Sequence, residues 1–184
     1  MNVMSDGRDV LLSALIWHLS VALAGPQQVH AVAVAQAGAR VLVAGDNLTW
    51  WDTQSRLLVQ HWSGQEGVVL CTAVAGDMAV TGSDRGAVQR WRLDDQRGGC
   101  MGTMFSSGPV RAVGLCSEGG MAVCGCEDGA IELLSWGRET CVARLQVHEG
   151  PVRCLSVCED KGLVVSGGSD GTLRVWSVPA GLQQ

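Results

Sequence analysis

Valines at positions 29, 69, 110 and 152 each open an apolar run rich in β-branched residues, and they follow one another at intervals of 40, 41 and 42. A second landmark, the end of the third run in each unit, falls at Trp51, Trp91, Leu134 and Trp176, at intervals of 40, 43 and 42. Two independent markers that keep one period define a repeat, and a repeat restricts the fold more than any other property of a sequence. The best-formed unit is His148 to Ser177, HEGPVRCLSVCEDKGLVVSGGSDGTLRVWS. Its runs at 152–157 and 163–165, and the Gly-Gly-Ser-Asp-Gly turn before Leu173, Val175 and Trp176, predict three short strands joined by tight turns.

Further strands are expected at 57–62, 101–105 and 141–147, where alternation is imperfect, as it is in strands covered on both faces. A period of about 40–45 residues with four strands per unit is the signature of a β-propeller. Composition agrees: 25 glycines in 184 residues supply more turn punctuation than a helical protein needs. Within the last unit His148, Ser166, Asp170 and Trp176 match the motif of the WD-repeat family, and Trp51-Asp52 is the dipeptide that names it. The chain therefore resembles WD-repeat propellers. The resemblance implies a structural tetrad in which the Asp accepts from the His and the Ser hydroxyl links the His to the Trp indole; buried polar atoms persist only when each finds a partner.

The expected fold is all-β, with β-propeller blades of four-stranded antiparallel sheets. Four full WD-type repeats are expected at about 29–62, 63–105, 106–147 and 148–177, with a short tail to residue 184 that should fray. Residues 1–28 read as a partial repeat: SDGRDVLLS at 5–13 parallels EDGAIELLS at 127–135, and a strand at Leu15 to Val21 would follow before the Gly25-Pro26 turn. That fragment makes the chain look like the C-terminal part of a larger propeller; by resemblance, seven blades would need about 300 residues. The apolar run at 10–24 is too short and too polar for a membrane-spanning helix. Ala22-Leu23-Ala24 mimics a secretory cleavage site, but Asp6 and Asp9 against Arg8 are not the positive start such signals have, which speaks against secretion.

The earlier repeats keep the motif incompletely. Repeat one has no His near Gln27 and Gln28 and a shortened turn, AGDN at 44–47. Repeat two keeps Thr81 and Trp91 at the separation of Ser166 and Trp176, with Gln65 for the His, Arg85 at the Asp position and Asp84 one place early. Repeat three keeps Asp128, with Ser106, Cys124 and Leu134 for the other members. Without the polar network the first three repeats must rely on sheet packing, and they are expected to be the softer ones.

Charge and cysteine placement exclude several functions. Twelve arginines are scattered and Lys161 is the sole lysine in a chain of net charge −5, so no basic groove for nucleic acid or anionic membrane is expected. The eight cysteines include no C-x-x-C, which gives no zinc site; Cys71 and Cys154, and Cys116 and Cys158, hold equivalent strand positions and are expected as buried, reduced thiols of an intracellular protein. No P-loop, dinucleotide fingerprint or Ser/His/Asp arrangement occurs, and His18, His30, His61 and His148 are dispersed. No cofactor and no small-molecule substrate is implied.

The expected function is a non-catalytic protein–protein interaction scaffold or adaptor, cytoplasmic or nuclear, whose partners are other proteins. By resemblance, partners dock on the face formed by the turn before the third strand and the start of the first strand. Here that means Asp84, Glu127 and Ser169 for the turns, and His30, Arg111 and Arg153 for the strand starts. The alternative is a substrate-receptor or regulatory subunit of a larger enzyme complex such as a ubiquitin ligase. It is weakened because Thr53 and Gln54 follow Trp51-Asp52 in place of the W-D-x-R motif that some ligase adaptors read. A hydrolase propeller would need acids or metal ligands along a central channel, where the strand starts offer Arg and His instead.

Overall fold

A computed structural model describes residues 28–35, 38–94, 96–116, 120–158 and 161–178. The partial repeat of residues 1–28, with its strand at 15–21, lies outside them except for Gln28, as does the tail beyond 178. The repeat becomes four consecutive antiparallel sheets. β1 (Val29–Ala35), β2 (Arg40–Gly45), β3 (Leu48–Asp52) and β4 (Leu58–Trp62) make the first. β5 (Val69–Ala75), β6 (Met78–Ser83), β7 (Ala87–Arg92) and β8 (Gly99–Phe105) make the second. β9 (Val110–Cys116), β10 (Met121–Cys126), β11 (Ala130–Ser135) and β12 (Thr140–Gln146) make the third. The fourth has three strands among the described residues: β13 (Val152–Cys158), β14 (Leu163–Gly168) and β15 (Leu173–Ser177).

Each sheet is a meander in sequence order, so tight turns suffice to connect its strands. The turns before β7, β11 and β15 each end on a glycine at positive φ, Gly86 (80°), Gly129 (88°) and Gly171 (76°), a conformation that a side chain would strain. Each first strand also carries a bulge at the same place. The pairing steps from Val29 to Ala31, from Val69 to Cys71, from Val110 to Ala112 and from Val152 to Cys154, so that His30, Leu70, Arg111 and Arg153 are the extra residues. A bulge re-aims its extra side chain away from the regular alternation of the strand.

The sheets stack as blades, with an apolar seam between each adjacent pair. Leu42, Leu48 and Trp50 of blade one meet Ala79 and Trp91 of blade two. Cys71, Val80 and Val88 then meet Val113, Leu115 and Leu134 of blade three, and Val123, Ile131 and Leu133 meet Val152, Val164 and the half-buried Trp176 of blade four. Two equivalent glycines allow close approach. A Cβ on Gly82 would lie 2.5 Å from Val110 Cγ1, and one on Gly125 2.6 Å from Val152 Cγ1, so the opening valine of each following blade sits on a bare backbone of the one before.

Burial of the cysteines departs from expectation. Cys71, Cys116, Cys124 and Cys126 are buried, but Cys100, Cys141, Cys154 and Cys158 are exposed. Cys71 is covered because blade three packs over it, whereas its equivalent Cys154 lies on the outer face of blade four, with no sheet beyond it among the described residues. Burial raises the Cys71 thiol to about 12 and the Cys126 thiol to about 11, and lifts Cys124 well above its usual range, so these groups stay protonated near neutrality.

Candidate protein-interaction surface

Blade four brings His148, Ser166, Asp170 and Trp176 into one hydrogen-bonded chain. The His148 ring nitrogen Nε2 lies 2.9 Å from Ser166 Oγ, and Trp176 Nε1 donates to that same oxygen at 3.1 Å. Nδ1 lies 3.1 Å from both carboxylate oxygens of Asp170 and from Thr172 Oγ1. A carboxylate only accepts, so Nδ1 carries the proton, Nε2 accepts from the Ser166 hydroxyl, and the hydroxyl oxygen accepts from the indole. Asp170 also accepts from the backbone N–H of Thr172 at 2.9 Å and of Glu149 at 3.1 Å. The bond from the Thr172 N–H, with those from its hydroxyl, Glu149 and His148, holds the Asp170 carboxyl well below the usual carboxylate range despite the opposing effect of desolvation. Thr172 is the member that the motif left out.

The other blades satisfy the same positions differently. In blade two Trp91 Nε1 donates to Thr81 Oγ1 at 3.0 Å, while the amide atoms of Gln65, in the place of His148, are buried without a hydrogen-bond partner. In blade one the Trp51 indole donates to Thr49 Oγ1 at 2.9 Å, two residues away rather than ten. In blade three Ser106 Oγ lies 3.2 Å from Cys126 Sγ. A separate set centred on the buried Glu132 accepts from Ser107 Oγ at 2.5 Å and from Arg144 Nε at 3.1 Å, and Arg144 also pairs with Asp128. Sequence reasoning missed Glu132. The signal was available: a carboxylate inside the apolar strand AIELLS, facing Arg144 across the β11–β12 register.

The six candidate contact residues fall at equivalent places on one end of the blades. The turn residues Asp84, Glu127 and Ser169 each donate a backbone N–H to the residue just before the first strand: to Val68 O at 3.0 Å, Pro109 O at 2.9 Å and Pro151 O at 2.9 Å. His30, Arg111 and Arg153 are three of the four bulge residues, with Arg111 and Arg153 beside the Glu127 and Ser169 turns; Leu70, absent from the sequence-based set, is the fourth and lies beside the Asp84 turn. Arg111 and Glu127 form an ion pair, and the Asp84 carboxylate accepts from the Val68 N–H at 2.8 Å. His30, Asp84, Arg153 and Ser169 are exposed. The rim thus alternates cationic, anionic and hydroxyl groups on a backbone locked by repeated hydrogen bonds. Among the described residues no group of three or more His, Cys, Asp or Glu could hold a metal ion, and no helix is long and apolar enough to cross a membrane.

Comparison with known proteins matches one repeat to a family model and the architecture to a fold. Residues 139–177 match the family model described as WD domain, G-beta repeat. The matched unit takes in all of β12, so it is phased one strand earlier than the repeat at 148–177. No curated protein matches the chain. Among solved structures, the computationally designed Ika4 protein is 19% identical with a TM-score of 0.72, over 85% of this chain and 95% of that one. The computationally designed Ika8 protein is also 19% identical, TM-score 0.71, over 85% of this chain and 48% of its own. A chain in the mitotic checkpoint complex is 18% identical, TM-score 0.74, over 84% of this chain and 49% of its own. This chain therefore spans about half the length of the last two, and at these identities the likeness is one of fold. One repeat of the chain thus matches the WD domain and closes its polar residues into one chain, and the stacked four-stranded meanders share the β-propeller fold.

Proposed function

We propose that the chain is a non-catalytic interaction scaffold that holds protein partners on the rim formed by its bulges and third-strand turns. WD-repeat propellers serve as protein-interaction scaffolds in general, which is the class the matched repeat supports. The observation that carries the reading is the recurrence of one bulge in all four blades, each beside a third-strand turn. Strands and seams fix those side chains in advance, so a partner binds without first ordering loops, and arginine is a favoured anchor at interfaces. In this reading Arg153 and His30 contact the partner, Asp84 and Ser169 flank them, and the Arg111–Glu127 pair sets the charge between. The tetrad His148, Ser166, Asp170 and Trp176 holds blade four in shape and does not touch the partner.

The test is affinity capture from cell extract with tagged wild type, Arg153→Ala and Asp170→Ala, together with thermal melts. Loss of specific partners with an unchanged melt for Arg153→Ala, and a lowered melt with partners retained for Asp170→Ala, is the expected pair of results. Identical behaviour of the two variants would sink the division between rim and tetrad.

A further inference from the structure

Among the described residues, the two ends of the stack are unfinished versions of surfaces that the inner seams show completed. On the outer face of blade four, Val165 and Leu173 occupy the positions of Val80 and Val88 in blade two. Blade three buries Val80 and Val88 completely, at 0% exposure, whereas Leu173 is 70% exposed and its neighbour Val175 61%. On the outer face of blade one, Val32 and Val34 occupy the positions of Val113 and Leu115 in blade three. Those two are 6% and 5% exposed against blade two, while Val32 and Val34 are 60% and 66% exposed.

The fit between these ends is specific as well as apolar. Val69, Val110 and Val152, which open blades two to four, are at most 1% exposed, and two of them sit on Gly82 and Gly125 of the preceding blade. Val29, which opens blade one, is 59% exposed; Gly167, the glycine equivalent to Gly82 and Gly125, has only its own blade's Cys154 near it. Among the described residues there is thus one unseated valine at one end and one empty seat at the other. A surface that matches a different surface of the same molecule makes a heterologous contact, and such contacts close into a ring when the rotation per copy allows.

We propose that the occupant of both open faces is a second copy of this chain, joined blade four to blade one at two equivalent junctions. Val29 of each copy sits on Gly167 of the other, and Val32 and Val34 cover Val165 and Leu173. The described sheets of the two copies contribute eight blades, within the range of about four to eight seen for closed propellers. Closure removes both open apolar faces from water, the condition that stacked repeats must meet at their ends. This concerns the blade faces and stands apart from the partner-binding rim.

The experiment is sedimentation equilibrium of the full chain, wild type, Val32→Asp and Leu173→Asp. Wild type should have twice the 19.3 kDa chain mass, and each single variant should be monomeric, because every junction contains one residue of each kind. Both positions are exposed in the single chain, so the variants keep its fold, checked by circular dichroism. Alkylation by iodoacetamide gives a second readout. Cys154 should be protected in wild type, as Cys71 is at 8% exposure in the inner seam, and as reactive as Cys100 in both variants. A monomeric wild type overturns the proposal and leaves the faces to other polypeptide. An open-ended series of larger species overturns closure by two copies. A variant that stays dimeric overturns the head-to-tail arrangement.

Discussion

Blades three and four are copies of one repeat with opposite strengths. Blade four holds the complete polar tetrad but has three described strands, and its third strand β15 is largely exposed. Blade three keeps only Asp128 of the motif, yet every residue of β10 and β11 is buried. The sequence made the incomplete repeats the softer ones. For blade three the packing argues the reverse, because in a stacked architecture a blade gains most of its burial from its neighbours. A motif records how a blade satisfies its polar atoms; position in the stack sets how much apolar surface it removes from water.

The comparison breaks most readily at Leu134, which takes the place of Trp176 and is fully buried in the seam with blade two. Leu134→Ala should cost about 2–5 kcal/mol in denaturant unfolding. A loss below that range would mean that blade three is not supported by its seams. Next is Ser166→Ala, which strands the Trp176 N–H and the His148 acceptor in a buried setting and should cost about 1–3 kcal/mol. Glu132→Ala should cost less, about 1 kcal/mol, because Arg144 is 41% exposed and regains water. If it matched or exceeded Ser166→Ala, the Glu132 set would be the true counterpart of the tetrad. Amide exchange compares the blades directly, with slower exchange expected in β10 and β11 than in β14 and β15.

The smallest effect is one of pH. The Asp170 carboxyl is lowered from its ordinary value of 3.8, so it binds protons more weakly folded than unfolded. Its contribution to stability is therefore complete above about pH 4 and is lost as the pH falls through the folded value. Asp170→Asn should flatten the melting temperature against pH in that acid window and leave its shape near neutrality unchanged. An equally steep acid decline in the variant would assign the dependence to other carboxylates.

The sequence marked the starts of β1, β5, β9 and β13 to the residue, since each is a valine at a constant period and strand identity follows from local alternation and turn chemistry. The tetrad residues were legible for the same reason, because hydrogen-bond chemistry restricts which side chains can stand together. Residues whose role depends on a neighbouring sheet were not legible. Trp51 drew attention as part of the named dipeptide, but it is Trp50 that lies at 0% exposure in the first seam. Adjacent strand residues face opposite ways, and only the stack decides which way is inside.

Cys154 and Cys71 make the same point from the other side: equivalent in sequence, one is exposed and the other buried because, among the described residues, a blade follows the second and not the first. The rim shows both influences at once. Period and turn residues located His30, Arg111 and Arg153, but a bulge is a matter of pairing between strands, so Leu70 joined that set only once the register was known. Local chemistry, carried in the chain, determined the strands, the turns and the polar tetrad. Which faces meet and which thiols are shielded were decided by tertiary structure, because burial belongs to pairs of sheets and no single repeat contains both partners.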